Sequence, residues 1–246
     1  MKPFPHDPDE AALAESLVSG KQQFEALAGD APGKPVAYYM DASRLAFGLA
    51  CLSYGFEATA AEVKSYLVGA TRYASRAVAC DGLMDPATYQ RYLSLAIWTN
   101  DTNFRSRLTG FDRGQFTHPE IACDDVVYRL AEATSALARK RPEMAVEYAE
   151  SGLKRITRGL VSTATVNAVA PLLQVTYAMG KGDLYALRGA VGERNTYYLR
   201  AVSSEAARAS PEGLIDVVVL ALARMAAADY GLAVDPRSLF VPLGLF

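Results

Sequence analysis

From Leu214 to Ala223 the chain runs Leu-Ile-Asp-Val-Val-Val-Leu-Ala-Leu-Ala, with Asp216 the only polar residue. A helix with so little polar face must be buried on most sides. The pattern predicts a helix over 211–230, stopped at Gly231, at the centre of a helical body. Leu239, Phe240, Val241, Leu243, Leu245 and Phe246 follow it as an apolar tail, expected to fold back and close the end of the stack.

Helical periodicity dominates the rest of the chain, and no stretch keeps the two-residue alternation of a half-buried strand. Helices are expected over 8–28, with Asp7 as cap, and over 36–54, with Leu45, Leu49 and Leu52 on the core stripe. A third runs from the capping box Thr59-Ala60-Ala61-Glu62 to 79, with Val63, Tyr66, Leu67, Ala70 and Tyr73 on one face. Asp85-Pro86 puts a capping aspartate before a proline at the first helical position, opening a fourth helix that turns Tyr89, Tyr92, Leu93, Ala96 and Ile97 inward.

His118-Pro119-Glu120 opens a fifth helix to about 139, and a sixth covers 141–158. The short turn between them makes them antiparallel neighbours. Ala145, Tyr148, Ala149 and Gly152 give this hairpin the small and large alternation of a tetratricopeptide-type unit, but nothing recurs at the ~34-residue period of such arrays. A seventh helix, 163–179, contains Pro171, which is expected to kink it, and Gly180-Lys181-Gly182 to end it. Asp183 caps an eighth over 184–209. The expected architecture is all-α: about nine helices as stacked antiparallel hairpins, irregular and tetratricopeptide-like, closed by the apolar helix and tail, in one domain over 1–246.

Composition narrows the function classes. The 246 residues are 51% hydrophobic and 21% charged, the balance of an ordinary globular protein. Net charge is -3 over 1–123 (11 basic, 14 acidic) and +1 over 124–246 (14 basic, 13 acidic). Neither half builds the positive field that nucleic acid requires. Cys51, Cys80 and Cys123 are odd in number and lie in apolar helical contexts, so they are expected reduced and buried. The start, Met1 to Glu10, has no apolar signal core, and the run 214–228 is broken by Asp216 and Arg224, short of the ~18 residues a membrane span needs. A soluble, cytoplasmic protein is expected.

Catalytic constellations are sparse. Asp124-Asp125 resembles the paired aspartates with which all-helical, magnesium-dependent enzymes hold a diphosphate, yet negative charge in a first helical turn is favoured by the macrodipole alone. No second acidic cluster accompanies it. Ser151-Gly152-Leu153-Lys154 has the Ser-x-x-Lys spacing of some acyl-serine hydrolases without the companion motifs. His6 and His118 both precede proline at expected helix starts, with no further ligand nearby for zinc. No catalytic residue, metal or cofactor is expected. Most of the 14 tyrosines fall on helix faces as core residues.

The segment 99–117 breaks the helical rhythm: it is polar, contains glycine and carries three phenylalanines, with a short helix expected over 103–108. Long irregular connections in compact domains are often functional. Trp98, Phe104, Arg105, Arg107, Phe111, Asp112, Arg113 and Phe116 supply the residue types that dominate interface energetics, and they are the candidate partner-binding residues.

The apolar helix, the turn Tyr230-Gly231-Leu232-Ala233-Val234-Asp235 and the closing aliphatic-Pro-Leu segment at Val241, Pro242 and Leu243 resemble the C-terminus of the immunity protein 49 family, encoded beside bacterial polymorphic toxins. The match covers about a seventh of the chain. The resemblance implies an all-α fold and neutralisation of a cognate secreted toxin or effector by direct protein–protein binding, with no catalytic residues. Two other readings stand beside it: a helical-repeat scaffold or adaptor, and a magnesium-dependent helical enzyme acting on a diphosphate. The partner expected is a protein, not nucleic acid or membrane.

Overall fold

The computed structural model describes residues 10–27, 33–80, 84–110, 124–159, 161–202, 214–236, 238, 240, 241 and 243–245. The fold is all-α, with ten helices among the described residues packed as sequential antiparallel pairs. They are α1 (Glu10–Leu27), α2 (Val36–Gly55), α3 (Ala60–Cys80), α4 (Pro86–Thr99), α5 (Thr102–Thr109), α6 (Asp125–Ala138), α7 (Pro142–Thr157), α8 (Thr163–Lys181), α9 (Leu184–Val202) and α10 (Val217–Tyr230), followed by a 3-10 turn at Leu243–Leu245. No strand occurs among the described residues, only an isolated bridge between Ser238 and Val241. By internal contacts the chain divides into two compact units, a division that no shift in composition marks.

The first unit takes in Met1–Gly82, Leu199–Asp216 and Arg237–Phe246. Its centre is the α2–α3 pair, where Ala42, Ala46, Ala50, Ala70 and Ala74 are buried and bring the two backbones close. Within that contact the Ser43 hydroxyl donates to the Ala70 carbonyl at 2.9 Å, so the buried polar group keeps a partner. α1 lies on α2 with Gly20 against Leu49, and Phe24 packs edge-on to Tyr66 (5.7 Å) and Tyr73 (6.0 Å). Only half of the expected capping box forms. Thr59 accepts from the Glu62 N–H at 3.2 Å, while the Glu62 carboxylate binds the Lys21 ammonium at 2.7 Å.

The tail belongs to this unit as well. Phe240, Val241 and Leu245 are buried, and Gly244 sits so close to α3 that a Cβ there would lie 2.8 Å from that of Ala60. Leu239 and Phe246 lie outside the described residues. The expected 211–230 helix is corrected at its start: residues 214–216 are not helical and α10 begins at Val217. The Asp216 N–H donates to the Phe240 carbonyl at 2.8 Å, so the backbone that the apolar pattern assigned to a helical turn pairs with the tail instead. Residues 211–213 lie outside the described set.

The second unit comprises Leu83–Tyr198 and Val217–Pro236. α6, α7 and α8 pack in succession, and α4 contacts α5, α6 and α10. Close approach depends on two glycines: a Cβ at Gly152 would meet Leu173 Cδ1 at 2.8 Å, and one at Gly180 would meet the Pro142 carbonyl at 2.8 Å. Asp85, Asp101, Ser162 and Asp183 each accept backbone N–H groups at the helix starts they precede, satisfying donors that a helix leaves orphaned. α8 continues past Gly180 to Lys181; the stop is Gly182, at φ +68°, whose turn places the Asp183 N–H on the Ala178 carbonyl. Pro171 lies buried within this continuous span. α10 packs on α4 and α8, with all of Val217, Val219–Ala223, Met225 and Ala226 buried.

Candidate functional site

The expected short helix forms as α5, capped by Asp101, whose carboxylate accepts from the Phe104 N–H at 2.9 Å. Two of the candidate residues lie in the core, one on this helix and one on α4. Phe104 is 1% exposed and meets Tyr92 at 6.4 Å between ring centroids, and Trp98 at the end of α4 is 4% exposed. Neither presents a surface to a partner in this conformation. Arg105 is largely buried and works as a clamp: its Nη2 lies 2.7 Å from the Asp229 carboxylate, while Nε and Nη2 donate to the Ala138 carbonyl at 3.2 and 2.9 Å. Arg107 is exposed on α5. Phe111, Asp112, Arg113 and Phe116 lie outside the described residues.

The clamp closes an end of α6. The Tyr230 hydroxyl donates to the Leu137 carbonyl at 2.8 Å, so two of the last α6 carbonyls gain side-chain donors from α5 and α10. Burial, then the nearby Asp229 carboxylate, pushes the Tyr230 hydroxyl up to about 12. Tyr89 behaves alike: burial drives it to about 12 although the neighbouring Ser135 hydroxyl and Arg139 charge act the other way, and it donates to the Leu108 carbonyl at 3.2 Å.

Asp124-Asp125 is not arranged as a metal pair. The Asp125 Oδ2 lies 2.8 Å from Arg155 and 3.6 Å from Arg129, so this carboxylate takes part in an α6–α7 ion pair. Among the described residues no group of three or more His, Cys, Asp or Glu side chains could hold a metal ion. Lys154 pairs with Glu150 at 3.1 Å, a helical i,i+4 contact, instead of approaching Ser151. His6, His118 and Cys123 lie outside the described residues; Cys51 is buried, whereas Cys80, expected buried, is exposed at the last position of α3. Among the described residues no helix is long and apolar enough to cross a membrane.

Two surface features went unmarked in the sequence. One is a groove of about 320 Å³ in the first unit, lined by Ser16 and Gly20 of α1 and by Asp41, Arg44, Leu45, Gly48, Leu49 and Leu52 of α2. Its signal is Gly48, where a Cβ would enter open space. The other is the α6–α7 turn, Arg139-Lys140-Arg141, three consecutive exposed cations that read in the sequence as a bare connection. No protein-family model, curated protein or solved structure matches this chain.

Proposed function

We propose that this chain is an immunity protein that neutralises a cognate bacterial toxin by binding it directly. The observation that carries the reading is a C-terminal pattern that resembles the immunity protein 49 family: the apolar helix, the Tyr230-Gly231 turn and the Val241-Pro242-Leu243 close. Binding as the mode of action suits the disposition of the charged residues. Asp125 and Lys154, the side chains with the most enzyme-like surroundings in the sequence, are engaged in ion pairs between or along helices. A helical scaffold is the competing reading, favoured by the succession of α6, α7 and α8.

Co-expression with a toxin encoded beside the gene tests it. Growth rescue together with a complex that co-purifies is the expected result. Rescue without a detectable complex would overturn the binding mechanism, and a stable complex without rescue would favour the scaffold.

A further inference from the structure

We infer that the Arg139-Lys140-Arg141 turn is a docking surface for an acidic segment of a partner protein; the inference deepens the immunity reading and rests on it for the partner's role. α6 ends in a motif in which the Lys140 N–H donates to the Leu137 carbonyl and the Arg141 N–H to the Ala136 carbonyl, both at 2.9 Å. The motif requires left-handed backbone at Lys140, which has φ +58°. Glycine or asparagine is the economical choice there, as at Gly182 and Asn100, which end α8 and α4 in the same way. Lysine carries a steric cost at that position.

Arg141 is likewise placed against local physics. It is the N-cap of α7 and makes no side-chain cap, and a cation at a helix N-terminus opposes the macrodipole. Among the described residues its guanidinium reaches only the Met144 sulfur, at 3.9 Å. The carbonyl end of α6 explains favourable charge at Arg139 and Lys140 but not at Arg141. Asp229 is 3.6 Å from Lys140 and is already held at 2.7 Å by Arg105, so it offsets little of the turn's charge; Glu143 follows in the first turn of α7. Two residues that cost stability and leave three adjacent cations in solvent mark a surface kept for recognition.

The charge fixes the partner's chemistry. Three cations on one turn match a few carboxylates on a protein segment, whereas a duplex requires a longer cationic track that neutralises many phosphates. The local costs also separate binding from folding, because replacing the residues that bind should strengthen the fold.

The test uses the full chain, with hexaglutamate peptide and a 12-base-pair RNA duplex as probes in parallel titrations. Lys140→Gly and Arg141→Asp are each expected to raise the thermal midpoint by ~2–4 °C. Each is also expected to weaken hexaglutamate binding, Arg141→Asp by ~10-fold or more. Glu57→Gly, at an exposed position that is also left-handed (φ +58°), should raise the midpoint and leave binding unchanged. Unaltered hexaglutamate binding in both turn variants, or preference for the RNA duplex, would overturn the proposal. If wild-type chain fails to rescue growth while hexaglutamate binding still follows the turn, the immunity reading falls and the surface stands. If rescue succeeds and the toxin complex is indifferent to both substitutions, the surface falls and the immunity reading stands.

Discussion

Arg105 and Asp229, 124 residues apart in the chain, meet at 2.7 Å with both side chains less than a fifth exposed, and the same guanidinium closes the Ala138 carbonyl. One side chain therefore ties α5 to α10 and to the end of α6. Removing it leaves Asp229 with Lys140 at 3.6 Å and takes both side-chain donors from Ala138. Arg105→Ala is expected to cost about 2–3 kcal/mol in urea unfolding. Arg105→Lys should recover only a minor part, because an ammonium cannot span carboxylate and carbonyl as the planar fork does. Lys154→Ala, which breaks the exposed pair with Glu150, is expected to stay within about 0.5 kcal/mol. Equal losses at the two positions would contradict the clamp.

That contact also explains why sequence marked Arg105 as a binding residue. Arginine and tryptophan are common both in interfaces and as partly buried anchors, and what separates the cases is a partner far along the chain: Asp229 for Arg105, or Arg224, whose guanidinium donates to the Trp98 carbonyl at 2.6 Å. The helix starts at Asp85 and Asp183 were far more legible, because these caps act within three residues. The start of α10 was not, since the Asp216–Phe240 bond is invisible to a local pattern in which Leu214 and Ile215 look helical. In the Arg139-Lys140-Arg141 turn the signal was present but of a kind that periodicity ignores: a lysine and an arginine where a helix end and a helix start favour glycine and a small polar cap.

Glycine substitutions should divide by sign. At Gly180 an added methyl would press on the Pro142 carbonyl at 2.8 Å, and backbone cannot move aside as a side-chain tip can. Gly180→Ala is expected to cost about 1–3 kcal/mol. Gly152→Ala should cost less, since its closest contact is the flexible end of Leu173. Gly189 and Gly192 lie inside α9 with nothing within 4 Å of an added Cβ, so alanine at either should stabilise by about 0.5–1 kcal/mol through reduced freedom of the unfolded chain. Urea midpoints of the four variants decide the matter, and a stabilising Gly180→Ala would show that α7 and α8 do not approach so closely.

Alkaline pH should weaken the second unit through two tyrosines. Tyr89 and Tyr230 are raised to about 12, in each case chiefly by burial, while an unfolded tyrosine titrates near ~10. The folded state therefore holds both protons more tightly than the unfolded state. The stability this contributes is fully present below pH ~10 and is lost as pH climbs from there to about 12. Lys21, raised by its hydrogen bond to Glu62, has the same sign, but its exposure makes the effect small. Tyr89→Phe and Tyr230→Phe each remove a donor from a carbonyl, Leu108 or Leu137, and should lose about 1 kcal/mol at neutral pH. Above pH ~10 the variants should decline less steeply than wild type, so the stability curves converge. Urea unfolding at closely spaced pH values measures this directly, and parallel decline in all three proteins would show that neither hydroxyl titrates late.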